Sequence, residues 1–315
     1  MDSVPFIFIA DVVALLHGSN PFLYVKGLQE LASPCWANEA TRNEERKWLY
    51  SISIAYPTLP YLPDYQVLLF RQKTTDMTHE YIRINDFNTF DVGKNVVWSC
   101  VWISSCLRTF QNEEHISNTS SYDSLAKCLR RILTGRDCVL LRGEFRDCGR
   151  EQPDWSLLAH LPRTFQLLEF SSLHRKAEEF IMDSNKLQKL SQLDLKGARV
   201  SKEFEEFLHK IVLSAQIPTI HINIASVQGY DFDVFENIIQ RWVKNPLGFN
   251  SYGALTVYVP VKFDRREFEV HLKQVTAGEG NGWFYYCRGH PLKTSATAEP
   301  TPNGTAFNLG QKRLV

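Results

Sequence analysis

Three apolar segments in the second half of this 315-residue chain follow one pattern. Phe165-x-x-Leu168-x-Phe170-x-x-Leu173 matches Leu190-x-x-Leu193-x-Leu195-x-x-Ala198 and Ile217-x-x-Ile220-x-Ile222-x-x-Ala225 position for position. The central residues Leu168, Leu193 and Ile220 lie 25 and 27 residues apart. Apolar side chains at i and i+2 read as short strands, because successive side chains on a strand point to opposite faces. Stripes of helical period lie between and around them. Ser201 opens Phe204, Phe207, Leu208, Ile211 and Val212; Asp231 opens Val234, Phe235, Ile238, Ile239 and Trp242. Both residues carry the side-chain oxygen that a helix N-cap needs. Upstream, Leu125, Cys128, Leu129, Ile132 and Leu133 form a helical stripe closed by Gly135, followed by a strand at Cys138–Leu141. Downstream, Leu255–Val261 reads as another strand, with Leu255 taking the central position 35 residues after Ile220. Asp264 then caps a further helix carrying Phe268, Leu272 and Val275.

A chain that alternates strand and helix folds as an α/β structure with a mostly parallel sheet and right-handed crossovers. A period of 20–29 residues with one strand and one helix is the leucine-rich-repeat signature. Each unit half-covers its own apolar strand face, and stacking the next unit completes the burial. The sequence therefore predicts an irregular, leucine-rich-repeat-like strand and helix stack. A single α/β domain without a solenoid is the alternative, and the two readings differ in whether an extended binding face exists.

The rest of the chain has other textures. Residues 1–50 read as short helices with apolar stripes, broken at His17-Gly18-Ser19-Asn20-Pro21 and at Ser33-Pro34. Helices this short are marginal without packing partners. Residues 51–120 form a small strand-rich unit, a short meander, with period-two runs at Tyr50–Tyr56, Tyr81–Ile84 and Val96–Ile103. Residues 121–292 make the repeat-like body. From 293 to 315 the chain is rich in Thr, Ser, Ala, Pro and Gly, a composition that predicts a disordered tail.

Composition narrows function by exclusion. Thirty-five basic residues balance thirty-five acidic ones, so no overall field draws the chain to nucleic acid or to an anionic membrane. The apolar stretch Val4–Leu16 follows Asp2, contains Pro5 and Asp11, and lacks a cleavage site, so it does not read as a signal peptide. No run reaches the roughly 20 apolar residues that span a bilayer. The cysteines are odd in number, seven, and several sit in apolar runs, which predicts buried free thiols in a reducing compartment, cytosol or nucleus. Gly278-Glu279-Gly280-Asn281-Gly282 lacks the lysine of a phosphate-binding loop and reads as a surface turn. Cys287-x-x-His290 is half a zinc site. The charged run from His174 through Glu179 reads as a solvated helix face. No serine stands in a nucleophile elbow. The sequence thus predicts a protein without catalytic residues, metal or cofactor.

The N-terminus carries a resemblance. Val4-Pro5-Phe6, the stripe to Leu16, Leu28-x-x-Leu31 and Pro34-x-Trp36-x-x-Glu39-Ala40 resemble an F-box, a motif of three short helices. Met1-Asp2-Ser3-Val4-Pro5-Phe6 and the late Cys287-Arg288-Gly289-His290-Pro291-Leu292-Lys293 look like parts of the expanded nematode F-box-like families. The resemblance implies that Pro5, Phe6, Val12, Leu16, Leu28, Leu31 and Trp36 dock a Skp-type adaptor of a cullin-RING ubiquitin ligase. The repeat-like body would then hold a substrate protein. The alternative is a repeat scaffold without adaptor binding, in which residues 1–50 cap their neighbour.

Overall fold

Alternating and helical-period stretches become strands and helices in a mixed α/β architecture. The structure, a computed structural model, describes residues 48–56, 64–73, 79–92, 96–104, 118–136, 138–144, 155–186, 190–245, 254–277, 283–289, 294–301 and 304–311. They fall into two compact units: one drawn from Met1–Leu141 with His160–Pro162, the other from Arg142–Ala159 with Arg163–Val315.

In the first unit β1 (Trp48–Ala55) lies between β2 (Tyr65–Lys73), antiparallel, and β4 (Val96–Ser104), parallel. β3 (His79–Ile82) and β5 (Asn118–Ser120) both pair with β2. This is not the meander that the sequence suggests, because β1 and β4 run parallel. A central strand is covered on both sides, so even Ser51 and Ser53 of β1 are buried. Asn118 repairs a gap in the backbone bonding: its Oδ1 accepts from Ile84 N–H at 2.9 Å and its Nδ2 donates to the Val67 carbonyl at 3.3 Å. Helix α1 (Tyr122–Leu133) follows the stripe read from the sequence and buries Leu125, Cys128, Leu129, Ile132 and Leu133. Gly135 ends it at φ +72°, backbone that glycine adopts without a Cβ penalty. Trp98 Nε1 donates to the Ile132 carbonyl at 3.0 Å and fixes the helix on the sheet. Arg131 grips the turn after β3, donating to the carbonyls of Phe87, Asn88 and Phe90.

The second unit begins with the last residues of β6 (Cys138–Glu144) and a 3-10 turn at Trp155–His160. Its centre is β7 (Leu167–Phe170), α2 (Arg175–Asn185), β8 (Gln192–Gly197), α3 (Lys202–Ser214), β9 (Thr219–Ile224), α4 (Phe232–Lys244) and β10 (Leu255–Val259). The four strands are parallel and adjacent in chain order. Right-handed crossovers that all step in one direction put every helix on the same face. Accordingly α2 packs beside α3, and α3 beside α4. Leu168 pairs with Leu193, and Leu193 with Ile220, so the shared register of the sequence is the register of the sheet. Ile220 pairs with Val257, not with Leu255.

Each helix is tied to the next by polar contacts. Glu178 of α2, buried despite its charge, accepts from Ser201 N–H at 3.0 Å and from Ser201 Oγ at 2.5 Å. Ser201 is the N-cap of α3, its Oγ accepting from Phe204 N–H at 3.2 Å. Glu178 lies in the run that reads as solvated; only Arg175, Lys176 and Glu179 of α2's first turns are exposed. Arg241 of α4 donates to the carbonyls of Leu213 and Ser214 at the end of α3. Asp231 holds the N-cap position of α4, but its carboxylate pairs with Lys262 Nζ at 2.9 Å and does not cap the helix.

Beyond β10 the structure departs from the sequence reading. Asp264 caps a short 3-10 turn (Arg265–Val270), and Val275 belongs to a strand, β11 (Lys273–Ala277). The residues expected to be disordered instead form β13 (Thr294–Thr301) and β14 (Gly304–Gln311). With β12 (Trp283–Gly289) they extend the sheet in the order β10-β14-β13-β12-β11. Phe307 of β14 anchors this extension, with its ring 5.5 Å from Phe235 of α4 and 6.1 Å from Phe268. Burying such a ring contributes about 1.5–3 kcal/mol, enough to hold a segment otherwise poor in apolar side chains.

Candidate functional site

Strand alternation gives β7–β10 two unlike faces. Leu168, Leu193, Ile220 and Val257, with their i+2 neighbours Phe170, Leu195, Ile222 and Val259, are fully buried toward the helices. The residues between them look the other way. In register these are Glu169, Asp194, His221 and Tyr258, one from each strand. Neighbouring strands stand about 4.8 Å apart, so the four form a row about 14 Å long. A second row runs beside it through Leu167, Gln192, Thr219 and Thr256.

The charged row is internally ordered. Arg142 at the end of β6 holds Glu169 through two nitrogens that both reach Oε2, Nε at 2.6 Å and Nη2 at 2.5 Å, a charge-assisted contact on one carboxylate oxygen. His221 Nδ1 lies 3.4 Å from Asp194 Oδ1, longer than a well-formed hydrogen bond. Lys196, two residues along β8, approaches the other carboxylate oxygen at 3.7 Å. Tyr258 meets the His221 ring edge-on, with centroids 4.4 Å apart and planes at 89°. Burial alone would raise the Asp194 carboxyl, but the hydrogen-bonding contact and charge of His221, with Lys196, outweigh it and hold the group below the ordinary carboxylate value. Asp194 therefore stays ionised near neutrality, on a face where its side chain is only 19% exposed.

Carboxylates, an imidazole and a phenol in fixed order, flanked by amide and hydroxyl groups, suit recognition of a polar polypeptide surface by hydrogen bonds and stacking. The row holds no serine or cysteine. Among the described residues, Cys128 and Cys138 are buried and Cys100 is half-buried, none of the three in a disulfide. Burial pushes the Cys128 thiol up to about 11 despite the nearby Arg131 charge, which leaves it unreactive at neutral pH. No group of three or more His, Cys, Asp or Glu that could hold a metal occurs among the described residues. No helix there is long and apolar enough to cross a membrane.

Pro5, Phe6, Val12, Leu16, Leu28, Leu31 and Trp36, the adaptor-docking residues implied by the N-terminal resemblance, lie outside the described residues. So do His290 and the side chain of Cys287. The polar row, by contrast, is not apparent from composition or motifs. Its signal lies in the unassigned position of the repeated pattern: Leu168-Glu169-Phe170, Leu193-Asp194-Leu195 and Ile220-His221-Ile222. Comparison of the chain with models of protein families, with curated proteins and with solved structures returns no match.

Proposed function

We propose that the chain is a non-catalytic substrate receptor of a Skp/cullin/F-box type ubiquitin ligase, built on a leucine-rich-repeat-like stack. The observation that carries the binding half of this reading is the registered row Glu169, Asp194, His221 and Tyr258 on the face opposite the helices. That face takes a segment of the target protein. The adaptor half rests on the F-box-like residues 1–50, whose apolar anchors Pro5, Phe6, Val12, Leu16, Leu28, Leu31 and Trp36 dock a Skp-type adaptor. The receptor works by proximity: holding the target beside the ubiquitin-charged enzyme raises its effective concentration without chemistry by the receptor. Buried cysteines outside any disulfide fit a reducing compartment, cytosol or nucleus. A repeat-like scaffold without adaptor binding shares the same face and differs only at the N-terminus.

The deciding experiment is a pull-down of the purified chain with a Skp-type adaptor, beside a Phe6→Ala, Leu16→Ala variant. Truncating an interface anchor costs about 2 kcal/mol, close to a 30-fold loss of affinity per residue. Capture that the variant loses supports the receptor. A well-folded wild-type chain that captures no adaptor leaves the scaffold.

A further inference from the structure

His160 ends the 3-10 turn, and the segment His160–Pro162 belongs to the first unit although the chain on both sides belongs to the second. Both ring nitrogens are engaged by α1. Arg130 donates to Nδ1 from Nε at 2.9 Å and from Nη2 at 2.6 Å, while Nε2 meets the Tyr122 hydroxyl at 2.8 Å. The Tyr122 ring also packs edge-on against the imidazole, centroids 5.6 Å apart, and Tyr65 of β2 stands behind Tyr122 at 6.2 Å. A guanidinium only donates and stays charged at any physiological pH. The Nδ1 it faces must therefore carry a lone pair. That fixes the neutral ring as the Nε2–H tautomer, with this proton donated to Tyr122.

We propose that His160 is a proton-sensitive tie: a proton added at Nδ1 removes both hydrogen bonds from Arg130, sets two cations face to face, and loosens His160–Pro162 from α1. The charged group facing the ring is the Arg130 guanidinium, and the titratable ones are Tyr122 and, behind it, Tyr65. Burial, then the Arg130 charge, hold the imidazole below its ordinary value of 6.5. For a histidine lowered by folding, the tie is complete above the unfolded value near 6.5 and is lost as pH falls through the lower folded value. Leu161, buried beside it, keeps the segment in place as a whole, so the change is a local loosening.

The test is NMR on the full chain from pH 7.5 down to 4.5, a range that runs well below the ordinary imidazole value. The imidazole nitrogen shifts report the tautomer, and the Leu161 amide protection factor, corrected for intrinsic exchange, reports the tie. His160→Asn places an amide oxygen where Nδ1 stood, an acceptor for Arg130 that does not titrate; Arg130→Ala removes the donor. The wild type is expected to show the Nε2–H tautomer at pH 7.5 and at least a threefold loss of protection, following a single-proton curve. Both variants are expected to be flat over this range. An Nδ1–H tautomer at pH 7.5, a flat wild type, or an equal loss in the variants would overturn the proposal.

Discussion

The contact between Glu178 and Ser201 sets the stacking of α2 on α3, and its removal is the most informative perturbation of the repeated body. Glu178 is buried, and both its carboxylate oxygens are used by Ser201, one by the N–H and one by the hydroxyl. Ser201 Oγ in turn accepts from Phe204 N–H, so one carboxylate orders the first turn of α3 through its cap. Hydrogen bonds to a charged group contribute about 1.5–3 kcal/mol each. Glu178→Ala removes two of them, but Ser201 is itself exposed and recovers water, and a buried charge disappears with the acceptor. The net expected loss is about 2–3 kcal/mol. Glu178→Gln keeps an acceptor for Ser201 N–H and should cost about 1 kcal/mol. Ser201→Ala loses the cap, about 1 kcal/mol, and leaves the carboxylate short of a donor. Because the three changes act on one network, the Glu178→Ala, Ser201→Ala double variant should fall short of additivity by about 1 kcal/mol or more. Urea unfolding of the full chain measures each value, and an unchanged m confines the effect to stability. A Glu178→Ala loss under about 0.5 kcal/mol, or strict additivity of the pair, would refute the argument that this carboxylate joins the two helices.

Arg131→Ala should release the turn at Phe87–Phe90, costing about 1–2 kcal/mol and raising amide exchange there; Arg131→Lys should not rescue it, because one ammonium cannot span three carbonyls. A methyl at Gly143 would sit 2.7 Å from Phe170 Cδ1 and 3.0 Å from Trp155, so Gly143→Ala should lower the melting temperature through about 1–3 kcal/mol of overpacking. Asp194, whose carboxyl is lowered in the fold, contributes stability that is complete above its unfolded value near 3.8 and drains away as pH falls below it. Asp194→Asn should lower the neutral plateau of a stability-against-pH curve and flatten its acid limb, so that wild type and variant converge at the acid end, as urea midpoints across pH 2–6 will show.

How much of this was legible in the sequence depends on how far each feature rests on local pattern. Leu168, Leu193 and Ile220 announced their register because each is an apolar residue two positions from another, repeated at near-constant distance. The fourth strand reads two residues off because Leu255, Val257 and Val259 are all apolar on one face, and a shift of two leaves that face unchanged. β2 carries no strand signal in the sequence because Val67, Leu68 and Leu69 are consecutive and all buried, which erases the alternation that marks a half-covered strand. The C-terminal hairpin reads as disordered since its inward residues Ala296 and Ala298 are small; pairing with β10 supplies the backbone bonds that composition cannot reveal. The row Glu169, Asp194, His221 and Tyr258 needed cross-strand register before its members met. Glu178 and Asp231 mark the limit of cap and charge rules, since each carboxylate chose a partner distant in sequence.

The account rests on a division of labour between residues 1–50 and the open face of β7–β10. One measurement addresses both: quantitative mass spectrometry of proteins co-purifying with the full chain, with Phe6→Ala, Leu16→Ala, and with Asp194→Ala, His221→Ala, Tyr258→Ala. The account predicts that the first variant loses the Skp-type adaptor and keeps the other partners, while the second keeps the adaptor and loses a defined subset of them. Partners and adaptor that fall together in both variants, or an adaptor indifferent to Phe6 and Leu16, would contradict it.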